Sequence, residues 1–277
     1  MVVGVLAVAQ RRYRVEVHAC AFMSNHAHLL VSVSSQKQLS SFMNFLNSNV
    51  AREANRLHDW TEKFWSRRYA STPVVGGETV QVARLKYLLS QGTKEGLVDS
   101  PLRWPGVNCA RALSSGRDLE GTWVNRTGLH KARKKLPAGK ARAVDFEEKV
   151  ILELSPLPCW VHFSKVRYRQ QILALIHDIE AAASSVRKGG KVAGRRSVLN
   201  THPHHRPKEV KTSPAPLVHA PSKEIRMAFL ESYRLFTKAF RAAADLLRNG
   251  DLTAVFPVGS FPPGRPFVEE LEGARPG

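Results

Sequence analysis

Two histidines one residue apart, His26 and His28, open the apolar, β-branched run "SNHAHLLVSV" (24–33). Alternate residues of a strand share a face, so the two imidazoles point one way and Ala27 the other. Side by side, neutral imidazoles can share a divalent metal; equally, they can be partly exposed strand residues and no more. Tyr87 and Gln91, four apart in "YLLSQ", share one face of a helix, although a tyrosine at helical spacing also suits a core. A third set, His202, His204 and His205 in "THPHHRP", has no cysteine or carboxylate near it. It reads better as a solvated loop or a phosphate contact than as a metal site.

The elements that must position these residues follow from periodicity. "YRVEVHACAFM" (13–23) alternates as a strand, with Val15, Val17, Ala19 and Ala21 on one face. Ser24 and Asn25 offer a turn into the "HAHLLVSV" strand, which makes a hairpin. A helix spans about 39–57, its buried stripe marked by Leu39, Phe42, Leu46 and Val50. "KFWSRRYASTPVV" (63–75) suits a third strand, and a helix over 78–90 stops near Gly92. Ser164 caps a helix to about Arg187, ended by Gly189 and Gly190. Ser222 caps another that Gly250 ends, with Ile225, Phe229, Phe236, Phe240 and Leu247 as its expected buried stripe.

The chain has 277 residues, 43% of them hydrophobic, which is ordinary for a globular protein. Its charge is not ordinary: 42 Lys and Arg against 23 Asp and Glu leave +19 at pH 7. Such an excess attracts polyanions, and phosphate neutralisation dominates non-specific nucleic-acid binding. No apolar stretch long enough for a membrane span and no signal peptide is visible, which favours nucleic acid over a membrane as partner. Cys20, Cys109 and Cys159 are few, scattered and without a CxxC pair, so a reduced, cytoplasmic, nucleoid-associated location is expected.

The ordered series of histidine pair, helix, aromatic segment and helical Tyr-x-x-x-Gln resembles the single-tyrosine HUH transposases. The REP-associated tyrosine transposases and their insertion-sequence relatives are the nearest group. "FMSNHAHLL" is similar to that family's "MPNHxHLL", "FWSRRY" to its "WxxRY", and "YLLSQGTKEGLVDSPLRWPG" to its "YIxxNPxxAGLVxxPxxWPWSS". Gln91-Gly92 stands where relatives carry Asn-Pro. The resemblance covers about residues 10–106. It implies an α+β, ferredoxin-like HUH domain over 1–110, and a basic linker (111–143) and a mainly helical basic extension (144–277) follow.

Carried over by position, the resemblance makes His26, His28 and Gln91 ligands of Mg²⁺ or Mn²⁺. It makes Tyr87 the nucleophile that cleaves single-stranded or hairpin-flanked DNA through a 5′-phosphotyrosine. Tyrosine has a pKa near 10 and is a weak nucleophile at pH 7, so a metal that polarises the phosphate is chemically apt. Arg67, Arg68, Lys131, Arg133, Lys134 and Lys135 are the candidate DNA-backbone contacts. Trp65 and Tyr69 suit base stacking or packing, and Trp104 a structural place. A monomer is expected. The alternative is a decayed copy that binds nucleic acid without catalysis. Family members begin with a further strand and helix ("YHVTxR"), and "MVVGVLAVAQRR" reads as the end of that helix. An in-frame strand-helix segment upstream of Met1 is therefore expected, since a sheet without it would expose unpaired edges.

Overall fold

Val2–Tyr13 forms a helix (α1) with Val5, Leu6, Ala7 and Ala9 buried, and the chain leaves it at Arg14 in the left-handed conformation. Two strands follow, Glu16–Phe22 (β1) and Ala27–Ser32 (β2). They pair antiparallel with Phe22 opposite Ala27. The computed structural model describes residues 1–137, 140–202, 205 and 215–264, in two units, Met1–Pro221 and Ser222–Gly277. The α+β class expected from the sequence is the class observed.

Gln36–His58 (α2) begins where the Ser35 hydroxyl accepts the Gln38 N–H at 3.1 Å, and it buries Phe42, Leu46 and Val50 as its spacing requires. Glu78–Leu89 (α3) packs Leu85, Leu88 and Leu89 into the same core. Strict alternation in β1 fails. A bulge at His18 separates the Val17–Val31 and Ala19–Leu30 pairs, and residues 17–21 are all buried. His18 is a satisfied core histidine: Nδ1 donates to the Ser155 carbonyl (3.1 Å), so Nε2 accepts from the Ser32 hydroxyl (2.8 Å).

Three expectations are corrected. Residues 63–75 are not a strand; they stand across a cleft from β2, and only Val74 forms a bridge, with His219. A strand needs a partner edge, and here the cleft occupies that place. Residues 111–143 are not a linker. They carry Ala110–Ser115 (α4), Leu119–Val124 (β3) and Arg126–Lys135 (α5), and β3 pairs antiparallel with Glu147–Leu152 (β4). These elements belong with the N-terminal residues in one unit, so no boundary falls at 110 or 143. Nor is the second edge of β1 bare. Phe22 N donates to Val107 O, Cys109 N to Cys20 O and Ser155 N to Val17 O, at 2.8–3.0 Å.

Lys165–Arg187 (α6) is capped by Ser164 and buries Ile172, Leu175, Ile176 and Ile179. Gly194–Asn200 (α7) is short. Lys223–Arg248 (α8), capped by Ser222, has the expected bounds but not the expected burial. Phe229, Phe236, Phe240 and Leu247 are half-buried, Ile225 is exposed, and Ala243 alone on the helix is buried. In this unit Phe256 packs on Phe240, ring centres 5.2 Å apart. Cys20, Cys109 and Cys159 are all free thiols.

Among the contacts that join the segment after residue 110 to the rest, two are close fits. Gly4 of α1 lies so close to β3 that a Cβ there would sit 2.1 Å from Thr122 O; one on Gly121 would sit 2.3 Å from Gly4 N. On α2, the buried Glu53 carboxylate takes both Nε (2.8 Å) and Nη2 (2.6 Å) of Arg126 from α5, and Nη1 of Arg56. Burial alone would push the Glu53 carboxyl up, but the Arg126 hydrogen bonds and the charges of Arg126 and Arg56 outweigh it and hold it below its ordinary value.

Alanine normally improves an internal helical glycine by about 1 kcal/mol. Overpacking costs about 1–3 kcal/mol, so Gly4→Ala is expected to destabilise, read as a lower urea midpoint; a higher one would contradict the close contact. Glu53→Gln is expected to lose about 1–3 kcal/mol, since it leaves Arg126 without its charged partner. Because the native carboxyl titrates below its unfolded value, that stability is present above the ordinary carboxylate range and is lost as pH falls through it. Wild type and Glu53→Gln should therefore converge in acid.

Candidate active site

The β1–β2 turn closes when Met23 N donates to His26 O at 2.8 Å, which places His26 just before β2 and His28 within it, opposite Ala21. Their rings meet edge to face with centres 4.9 Å apart, so the shared face read from the sequence is real. The His26 Nδ1 is 2.6 Å from Asn25 Oδ1, an acceptor, which assigns the proton to Nδ1 and leaves Nε2 with a lone pair. Burial, and then the charge of Lys94, lower the His26 pKa, although a hydrogen bond to the Gln91 side-chain oxygen and the charge of Glu95 oppose them. His28 falls to about 4, through burial first and then the neighbouring charges of His26 and Lys94. Both imidazoles are neutral at pH 7. His28 Nε2 is buried and has no hydrogen-bond partner among the described residues.

The end of α3 supplies the other half. Tyr87 is 44% exposed, and its ring stands edge to face with His28 at 5.6 Å. Gln91, one turn on, is buried and donates Nε2 to Tyr87 O at 2.9 Å, so Oε1 is its remaining ligating atom. Neutral imidazole nitrogens and an amide oxygen, with one nitrogen orphaned in a buried position, are a donor set that fits a divalent cation. Among the described residues no group of three His, Cys, Asp and Glu could hold a metal, and the Gln91 amide is the neutral oxygen donor beside the pair.

Trp104 joins the two halves. Its indole N–H donates to Phe22 O at 3.0 Å, at the end of β1. Its ring lies against Gly92, where φ is +82° and a Cβ would stand 2.8 Å from Cε3. Gly92 O in turn accepts Leu97 N and Val98 N, which folds the chain back and returns Lys94 to Tyr87. This is the structural place expected of Trp104.

An open cleft of about 750 Å³ runs between β2, α2 and residues 65–74, and His26, His28, Arg67 and Arg68 are in its wall. Arg67 and Arg68 thus share this cleft with the histidines. Trp65 and Tyr69 are half-buried in the same wall, and Trp65 Nε1 is committed to Asn47 O at 2.9 Å, so it packs. Lys131, Arg133, Lys134 and Lys135 are exposed along α5, and none lines the cleft. His202 and His205 are described, whereas His204 lies outside the described residues.

Lys94 and Arg84 were not singled out from the sequence, yet both lie against the Tyr87 ring, at 4.2 and 5.5 Å from its centre. Arg84, three residues before Tyr87, was legible from helical spacing. Lys94 was not, since only the turn at Gly92 returns it.

The profile of the family described as "Transposase IS200 like" matches residues 2–91, about a third of the chain. Residues 2–91 are thus similar to IS200-like transposases. The matched stretch runs from α1 to Gln91 and holds both histidines and Tyr87. That similarity supports a transposase-type function and, with it, DNA processing in general. No curated protein and no solved structure matches the chain significantly. Among the described residues no helix is long and apolar enough to cross a membrane.

Gly92→Ala puts a side chain on a left-handed backbone and into the Trp104 ring. It is expected to cost about 1–3 kcal/mol in a urea titration. An unchanged midpoint would show that Trp104 does not depend on this turn.

Proposed function

We propose that this transposase is a single-tyrosine nuclease and strand transferase of the REP-associated type, acting on single-stranded or hairpin-flanked DNA as a monomer. The observation that carries the reading is the buried His28 Nε2, without a partner among the described residues, on a ring that meets both the His26 and Tyr87 rings, with Gln91 bonded to the Tyr87 carbonyl. His26, His28 and Gln91 would hold a Mg²⁺ or Mn²⁺ ion. Such an ion, when bound, polarises the scissile phosphate and steadies its developing charge.

Tyr87 is exposed enough to meet a strand, and its place at the end of a packed helix fixes its approach. Its Oη attacks phosphorus; the Oη–P bond forms and the P–O3′ bond breaks. The phenolic proton is lost to solvent, and the leaving 3′ oxygen takes one up. Tyr87 keeps the 5′ end as a phosphodiester, so a later 3′-hydroxyl can reverse the step and join strands without ATP. Arg67 and Arg68 in the cleft wall meet the DNA backbone beside the histidines, and the basic face of α5 adds phosphate contacts elsewhere.

Labelled single-stranded DNA incubated with the protein and Mn²⁺ should give an adduct that survives denaturation. Tyr87→Phe should abolish the adduct and leave DNA affinity nearly unchanged, because one hydroxyl contributes little to a phosphate-dominated interface. His26→Ala, His28→Ala and EDTA should each remove most of it, and calorimetry should show weaker Mn²⁺ binding in both variants. An adduct that persists in Tyr87→Phe identifies another nucleophile. DNA binding without any adduct favours the non-catalytic alternative.

A further inference from the structure

Two cations lie against the Tyr87 ring, and the fold gives neither a strong partner. Lys94 Nζ is 4.2 Å from the ring centre; its nearest carboxylate, Glu95, is 3.9 Å away, the limit of an ion pair. The Arg84 guanidinium carbon is 5.5 Å from the same ring. Its Nη1 stands 3.4 Å from His219 Nε2, a long contact, and its buried Nε has no hydrogen-bond partner among the described residues. An arginine N–H kept from water without an acceptor costs stability, and a guanidinium is shaped to receive two phosphate oxygens. Lys94 adds a mobile point charge from the far side of the Gly92 turn. Both therefore stand beside the ring whose hydroxyl must meet a phosphodiester for Tyr87 to attack it.

We propose that Arg84 and Lys94 bind the scissile phosphate at Tyr87 and go on holding the phosphodiester that links Tyr87 to the DNA. The proposal rests on Tyr87 being the nucleophile. As Oη bonds to phosphorus and the 3′ oxygen departs, negative charge builds on the phosphoryl oxygens and then returns to that of a diester. Cations fixed at that point favour the crowded state over the starting one. They also hold the tyrosyl-linked 5′ end in place until a 3′-hydroxyl arrives. Lys94 and Arg84 carry their charge without a metal, so their contribution is separate from that of His26, His28 and Gln91.

The test measures the rate of covalent adduct formation between the full chain and labelled single-stranded DNA with Mn²⁺. Lys94→Met and Arg84→Met are each expected to slow the rate by about 10- to 100-fold. Lys94→Arg should recover most of its loss and Arg84→Lys only part of its own, since an ammonium keeps the charge without the two-oxygen fit; a loss of packing would allow neither. Affinity for the DNA should change by less than about threefold, as one phosphate contact among many is lost. With a methylphosphonate at the scissile position, which removes the phosphate charge, the penalty of Lys94→Met should shrink to under about threefold. Wild-type rates in both Met variants, with Tyr87→Phe inactive, would overturn the clamp alone. So would equal penalties on the charged and neutral substrates. No adduct with wild-type protein would overturn the tyrosine reading and the clamp with it.

Discussion

The hydrogen bond from the Trp104 indole to Phe22 O is the contact on which the candidate site depends. The histidine pair hangs from the end of β1, and Tyr87 and Gln91 from the end of α3, elements separated by some 60 residues of chain. Nothing local holds them in register. A buried ring ties their ends, with its N–H on the strand end and its face on Gly92, beside the core packing of Leu85, Leu88 and Leu89. The close fit explains why a glycine must stand there: a left-handed backbone and an aromatic face leave no room for a Cβ.

The surroundings of the site are mostly basic, with Glu95 the acid beside Lys94. Lys94 and Arg84 flank the tyrosine, and Arg67 and Arg68 stand in the cleft wall. The imidazoles stay neutral because burial and nearby positive charge penalise protonation. The same environment that keeps the nitrogens free for a cation also attracts a polyanion. The paired acid Glu53 is spent on the fold, tying α2 to α5 through Arg126. The net charge of +19 is thus distributed, part at the cleft and part along α5.

Residues 107–155 are more than an appendage to the transposase domain. Val107, Cys109 and Ser155 satisfy backbone groups on the second edge of β1, and β3 packs against α1 at a glycine-to-glycine contact. An unsatisfied strand edge in a core costs a hydrogen bond per residue, so this edge had to be filled by some segment of the chain. Residues 72–75 are likewise held by a distant segment, through His219 and Pro216.

Helix bounds were legible because their signals are local. Ser164 and Ser222 accept the first-turn N–H groups, and Gly92 and Gly250 follow the last turns in left-handed conformation. The shared face of His26 and His28, and the Tyr87–Gln91 step, were equally local, fixed by strand and helix periods. What failed was non-local. Residues 63–75 have strand composition but no partner edge, and residues 111–143 look like a basic linker until α1 and β4 give β3 a face and a partner. The stripe of α8 shows the same limit, since amphipathicity states which side is apolar and not what covers it. By itself, the sequence determined the elements, the charge and the residues able to do chemistry. Only the tertiary structure decided which of them meet: it set Lys94 and Arg84 on Tyr87, left His28 Nε2 without a partner and took α5 away from the cleft. Those outcomes depend on packing between segments far apart in the chain, where period and propensity carry no information.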